Sequence, residues 1–250
     1  MTYCVGMLLA GGLVMMADTR TNAGVDNISS YRKLHILSDA PDRLVVVATS
    51  GNLSITQTAL NLLSEGLQPD RKDEPPAFLA DQPTMFRVAR LVGQALGRTR
   101  DEMRPALEAA KVGSTASMLL GGRIGDEPLR LFHIYSVGNF VECQREQPYF
   151  QIGETKYGKP ILDRALDHAT PLEEAVKVGL ISFDSTIRSN LAVGRPIDVM
   201  AVASGADATP VFQRIGTDDT YFNDLSARWS MLLTEARDAI PDPPFMARHA

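Results

Sequence analysis

The chain has only two cysteines in 250 residues, and Cys4 and Cys143 stand far apart with no Cys-x-x-Cys or Cys/His spacing. Such a pair builds neither a disulfide framework nor a zinc site, and a reducing cytoplasm fits this usage. Cationic excess is also missing. With 25 Lys and Arg against 30 Asp and Glu, the net charge of −5 gives no electrostatic footprint for nucleic acid or an anionic membrane. The four histidines, His35, His133, His168 and His249, are scattered, and neither HExxH nor GxSxG occurs, so a zinc peptidase and an α/β-hydrolase both lack their motif. Long apolar runs are absent. Residues 4–17 come closest, but the stretch is too short for a bilayer, has no basic segment ahead of it, contains Gly11-Gly12 and is followed at once by Asp18 and Arg20, unlike a signal peptide. There is no internal repeat or heptad seam. The composition, 44% hydrophobic and 22% charged, is that of an ordinary globular protein, long enough for one large core.

Residues 3–9 and 13–17 read as two strands joined at Ala10-Gly11-Gly12, a hairpin signal. Register then matters for chemistry. A three-residue loop sets Thr2 opposite Arg20 and brings Asp18 onto the face of Thr2, about 7 Å away diagonally; a two-residue loop turns Asp18 to the other face. A catalytic reading calls for the longer loop or a bulge. Residues 19–30, rich in Thr, Asn, Ser and Gly, read as a loop able to line a site. Residues 31–37 resume a strand with Lys33 and His35 on one face, and residues 44–48, Leu-Val-Val-Val-Ala, read as a central strand buried on both sides. Asn52 or Ser54 caps a first helix, residues 68–84 form an exposed connection, and a second helix covers residues 85–110, with Pro105 as its point of kinking or splitting. A meander over residues 117–124, 129–135 and 140–142 is followed by a strand at 149–152 and helices at 160–168 and 171–187. Strands at 197–203 and 209–214, a helix at 221–240 and a mobile, Pro-rich tail at 241–250 complete the reading. This order predicts an α+β protein, two stacked antiparallel sheets with helices outside, in one domain over residues 1–240, rather than a doubly wound fold.

The residue with distinctive chemistry is Thr2. Once Met1 is removed, Thr2 carries both a nucleophilic hydroxyl and a titratable α-amine, a known catalytic device. A hydroxyl needs a base, and the α-amine, with a reference pKa of about 7.7–8.0, is the one basic group on the nucleophile's own residue. A nearby ammonium lowers that value and stabilises a developing alkoxide, and a carboxylate keeps the ammonium charged and oriented. Lys33 and Asp18 are the candidates, although each taken singly reads more simply as a solvated strand end. Gly153-Glu-Thr-Lys-Tyr-Gly158-Lys159 fits GxxxxGK, but Pro160 follows where a phosphate loop needs a hydroxyl, so the segment reads as a strand-to-helix turn with Pro160 at the first helical position. Cys4 reads as a small core residue rather than a reactive thiol, and His133 as a structural histidine.

Thr2, the hairpin through Gly11-Gly12, Ala17-Asp18-Thr19-Arg20, Lys33 and Ser50-Gly51-Asn52 together resemble the proteasome β-subunits and HslV, which are N-terminal nucleophile hydrolases. Asp18-Thr-Arg-Thr-Asn-Ala-Gly-Val-Asp26, Thr49-Ser-Gly-Asn-Leu53 and Ile152-Gly-Glu-Thr-Lys-Tyr-Gly-Lys-Pro-Ile161 are more narrowly similar to the bacterial Anbu branch of that family. The likeness covers nearly the whole chain. It implies a four-layer αββα sandwich and a cytoplasmic peptidase or amidase with Thr2 as nucleophile, its amine as base, and Asp18 and Lys33 as the supporting pair. It places the oxyanion donor in a backbone turn at Ala48, with Gly51 downstream, and the later supporting residues at Ser189 and Asp184, which are five apart where the proteasome spacing is three. Thr21 and Asn22 correspond to the segment that lines the substrate cleft. No metal or cofactor is implied; self-assembly into a ring or open spiral is, with any ATPase partner open. The alternatives are a non-catalytic assembly subunit that retains Met1 and an amidase of narrow specificity.

Overall fold

The computed structural model describes residues 2–22, 28–69, 74–205 and 207–246. Its strands are β1 (Tyr3–Leu9), β2 (Gly12–Asp18), β3 (Arg20–Asn22), β4 (Ile28–Ser30), β5 (Leu34–Ala40), β6 (Arg43–Gly51), β7 (Ala116–Ile124), β8 (Arg130–Ile134), β9 (Phe140–Glu142), β10 (Tyr149–Gly153), β11 (Ile197–Ala203) and β12 (Val211–Ile215). The helices are α1 (Leu53–Glu65), α2 (Met85–Ala109), α3 (Lys159–Ala165), α4 (Leu172–Ser189) and α5 (Thr220–Asp238). One antiparallel sheet has the order β10-β1-β2-β11-β12, the other β5-β6-β7-β8-β9, and β3 and β4 form a separate ribbon.

Three apolar layers hold these pieces together. Between the sheets lie Cys4, Leu13, Met15, Ala17, Val46, Ala48, Leu119, Leu131 and Met200. Alternate residues of the same strands point outward: Tyr3, Val5, Val14, Met16 and Val199 pack with Val178 and Phe183 of α4, while Val45, Val47, Met118 and Phe132 meet Ile55 of α1 and Val88, Val92 and Leu96 of α2. Strands buried on both faces read as unbroken apolar runs, as in Val45-Val46-Val47. The result is the expected αββα sandwich.

Local chemistry sets the element ends. The Asn52 side chain accepts the amides of Ser54 and Ile55 and starts α1; Thr84 does the same for α2, and Asp219 for α5. Pro105 neither splits nor ends α2, which runs through it on an exposed face. Pro160 is the second residue of α3, one place later than expected, and lies in the first turn, where a missing amide costs nothing.

Three expectations need correction. The first hairpin has a two-residue loop, since Leu9 pairs with Gly12 and Cys4 with Ala17; the longer loop is not formed. At Gly12, φ is +152° and a Cβ would lie 2.1 Å from Val202 O, so this glycine opens β2 instead of completing the turn. Lys33 precedes β5 rather than lying in it, although its carbonyl still accepts the Thr49 amide. Within residues 19–30 the described parts form the β3–β4 ribbon; residues 23–27 lie outside the described residues, as do Met1 and residues 247–250 of the tail.

Candidate active site

Thr2 sits where β1, β10 and the end of β2 meet, and its surroundings fix its backbone from two sides. The Glu154 amide donates to Thr2 O at 2.6 Å. The Tyr3 amide donates to Asp18 Oδ1 at 3.0 Å. The second bond explains how Asp18 reaches the site in a two-residue-loop register. Backbone pairing of β1 with β2 stops at Cys4–Ala17, and beyond it the Asp18 carboxylate takes the amide that a further ladder bond would have used. The carboxylate thereby leaves the alternation that would have turned it away.

Asp18 is fully buried and Lys33 is 4% exposed; their Oδ1 and Nζ lie 2.7 Å apart. Lys33 Nζ also donates to Arg20 O at 2.6 Å. The Gly194 amide reaches the other Asp18 oxygen at 3.4 Å. Burial pushes the Asp18 carboxyl up from its ordinary value, while Lys33 and the two amides oppose the rise. Hydrogen bonds and charge on every side make this pair a fixed support for whatever stands beside it.

A cleft of about 770 Å³ opens over these groups, lined by Thr2, Thr21, Lys33, Thr49, Ser50, Gly51, Thr115 and Gly153 among others. Strand alternation accounts for its amides. The Thr49 amide points to the β5 side, bonding Lys33 O at 2.9 Å, and the Asn52 amide points to the β7 side, bonding Thr115 O at 2.9 Å. Gly51 shares the parity of Thr49, so its amide is turned to the β5 side, past the place where β5 pairing ends and where the cleft lies. Its φ of +96°, with Thr115 O 2.3 Å from a built Cβ, leaves room for glycine alone. Ala48, by contrast, pairs with Leu34 and Leu119 and is buried between the sheets, outside the cleft lining.

The remaining predicted residues divide. Thr21 lines the cleft, and Asn22 ends β3 opposite Ile28. Asp184 is 4% exposed but packs against α5, accepting from Ser226 Oγ at 2.6 Å and from Arg188 Nε, and Ser189 is exposed in the last turn of α4; neither joins the cleft. Positions five apart on a helix stand about 140° apart around its axis, so these two could not share a face. The residue that turns inward is Asn190, the C-cap of α4, whose Nδ2 donates to Glu154 Oε2 at 3.1 Å. Neither Glu154 nor Asn190 was among the expected site residues, and neither belongs to the lining of the cleft; they meet beside it, across from Thr2. Cys4 has no exposed surface, and burial pushes its thiol far up; the Cys143 thiol is pushed up to about 12 by burial and Glu142. Among the described residues no cluster of metal-binding side chains occurs, and no helix is long and apolar enough to cross a membrane.

Two stacked antiparallel sheets between helix layers, with a threonine in the second position beside a buried lysine–aspartate pair, define a proteasome-related N-terminal nucleophile fold. No protein-family profile matches the chain, and no curated protein does. Solved structures do match. An Anbu (Gly-1) mutant from Hyphomicrobium sp. strain MC1 is 43% identical, over 97% of this chain and 99% of its own, with a TM-score of 0.85. Anbu, the ancestral β-subunit, from Yersinia bercovieri is 42% identical over 96% and 98%, with a TM-score of 0.86. A structure described as the helical assembly of the Anbu complex from Pseudomonas aeruginosa is 40% identical over 97% and 98%, with a TM-score of 0.85. The chain belongs to the Anbu family of proteasome-like hydrolases.

Proposed function

We propose that the chain is a cytoplasmic threonine hydrolase that cleaves peptide or other amide bonds by acyl transfer to Thr2 Oγ once Met1 has been removed. The observation that carries this reading is the buried Lys33–Asp18 pair, 2.7 Å apart, whose lysine lines the same cleft as Thr2. A buried ion pair is a weak stabiliser of a fold, because desolvation offsets its attraction. Here it holds the Lys33 ammonium in a fixed place in the cleft that Thr2 also lines.

The steps follow from the chemistry of those groups. The Thr2 α-amine accepts the hydroxyl proton as Oγ attacks the substrate carbonyl carbon, and Lys33 stabilises the growing negative charge on Oγ. The oxyanion of the tetrahedral intermediate takes the Gly51 amide, a backbone donor that needs no side chain. The protonated amine then gives its proton to the leaving nitrogen, and an ester on Thr2 remains. Water, deprotonated by the same amine, attacks that ester; the bond from the carbonyl carbon to Oγ breaks, the acid leaves, and the proton on the amine returns to Oγ. Asp18 keeps Lys33 charged and in place.

Self-association into a ring or open spiral goes with this reading and is supported by the helical assembly of the Pseudomonas relative. The test is a pair of measurements on the full chain. Intact mass shows whether Met1 is gone, and an epoxyketone or β-lactone is then offered to wild type and to Thr2→Ala, whose small side chain equally permits Met1 removal. Covalent modification of wild type alone is expected, an ester from the β-lactone or an adduct of Oγ and the α-amine from the epoxyketone; equal modification of the variant would exclude Thr2 as the nucleophile.

A further inference from the structure

Glu154 is a buried carboxylate that the mechanism above does not use. It is 6% exposed, and among the described residues no side-chain cation pairs with it. A buried, ionised carboxylate without a counter-charge is costly. Its oxygens are held by neutral donors instead: Oε1 accepts the Lys156 amide at 2.8 Å and Oε2 accepts Asn190 Nδ2 at 3.1 Å. A carboxylate has about four acceptor sites, so each oxygen keeps one open.

Its place in the sheet says what is missing. The β1–β10 ladder ends with Tyr3 opposite Gly153, so Glu154 stands directly across from Thr2, and its own amide bonds Thr2 O at 2.6 Å. Gly153 enforces the approach: at φ +84°, a Cβ there would lie 2.1 Å from Thr2 O and 3.2 Å from Thr2 Cβ. The sequence thus brings an uncompensated negative group against the residue whose α-amine appears only when Met1 is removed. We propose that Glu154 is the counter-ion and positioning residue of the Thr2 α-amino group, held in place by Asn190. The inference rests on the threonine-hydrolase reading for its catalytic meaning.

The other charged groups on the elements around Thr2 are already engaged. Lys33 and Asp18 pair with each other. The Arg20 guanidinium lies over Gly194 and donates to Leu191 O at 3.1 Å. Asp184 and Arg188 of α4 are turned to Ser226. On the Glu154 side, Lys156 is exposed, and Lys159 pairs with Asp163 at 3.0 Å. Lys33 favours the neutral form of the amine and Glu154 its charged form.

The test reads the amine itself. The full-length protein is reductively methylated with ¹³C-formaldehyde, and the N-terminal dimethylamine is titrated by NMR in wild type, Glu154→Gln and Asn190→Ala, with intact mass confirming loss of Met1. Loss of the carboxylate is expected to lower the midpoint by about one pH unit, a tenfold change in proton affinity. Asn190→Ala removes a donor that neutralises the same carboxylate and should raise it, so the opposite signs separate a counter-ion from a structural part. If Glu154→Gln does not fold, the Asn190→Ala shift decides alone. An unmoved midpoint, or shifts of one sign, overturns the proposal even where β-lactone labelling persists. Opposite shifts in a protein that β-lactone does not label support it and overturn only the hydrolase reading. Retention of Met1 overturns both.

Discussion

Lys33 can serve the site only as one half of a pair. Its ammonium has two acceptors, Asp18 Oδ1 and Arg20 O, and Asp18 in turn takes the amides of Tyr3 and Gly194, so one carboxylate joins four segments of chain. Removing one partner of such a pair leaves a buried, uncompensated charge and costs about 3–5 kcal/mol. Lys33→Met should therefore lower stability by about that amount in a denaturant titration and abolish β-lactone acylation. The double variant Lys33→Met with Asp18→Asn should recover a large part of the stability and none of the acylation. Full recovery of both would mean that the pair has no catalytic part. That Thr2, Asp18 and Lys33 stand together was legible in the sequence because each residue type is one that the proposed chemistry calls for. Glu154 and Asn190 were not, because their meeting depends on β10 pairing with β1 and on where α4 ends, neither of which leaves a motif.

At the scale of elements, apolar periodicity was the dependable signal. The sequence pattern placed β6, α1, α2 and the β7–β8–β9 meander within a few residues of their bounds, β6 by its unbroken apolar run and the helices by the period of their buried face. The first hairpin was misread in loop length because Gly11-Gly12 looks like turn chemistry, whereas Gly12 is demanded by the approach of β11 at Val202. That constraint is tertiary and invisible to local pattern. Pro105 is the opposite case, a breaker overruled by packing. Met85, Val88, Val92, Ala95, Leu96 and Thr99 bury the first four turns of α2, so the helix keeps its course through a proline that removes one backbone bond. Interior proline costs about 3 kcal/mol relative to alanine, less near a helix end. Pro105→Ala should stabilise the protein by about 1–2 kcal/mol, read as a higher denaturant midpoint with an unchanged slope. A lower midpoint would show that α2 depends on the proline in a way that its exposed position does not suggest.

For the whole molecule, the three apolar layers set how stability responds to pH, through two imidazoles held partly out of water. In β5, the pKa of His35 is lowered first by burial and then by Arg32, with Asp198 opposing. In β8, that of His133 is lowered by burial, its ring 4.2 Å from Tyr135 and 5.7 Å from Phe150. Both rings bind a proton less readily folded than unfolded, where the value is about 6.5. As pH falls through 6.5 toward the folded values, the unfolded chain takes up more protons than the native one. The stability these rings contribute is complete above about 6.5 and is lost across that window. Asp18 works in the opposite sense, because burial raises its carboxyl and the folded state then holds that proton more tightly. The melting temperature should consequently fall between pH 7.5 and pH 5.5, by about 2–4 °C for each kcal/mol lost in a chain of this size. In the double variant His35→Gln, His133→Phe, which keeps a stacked ring in β8, the fall should be visibly smaller. An equal fall in wild type and variant would place the sensitivity elsewhere, first of all on the carboxylates.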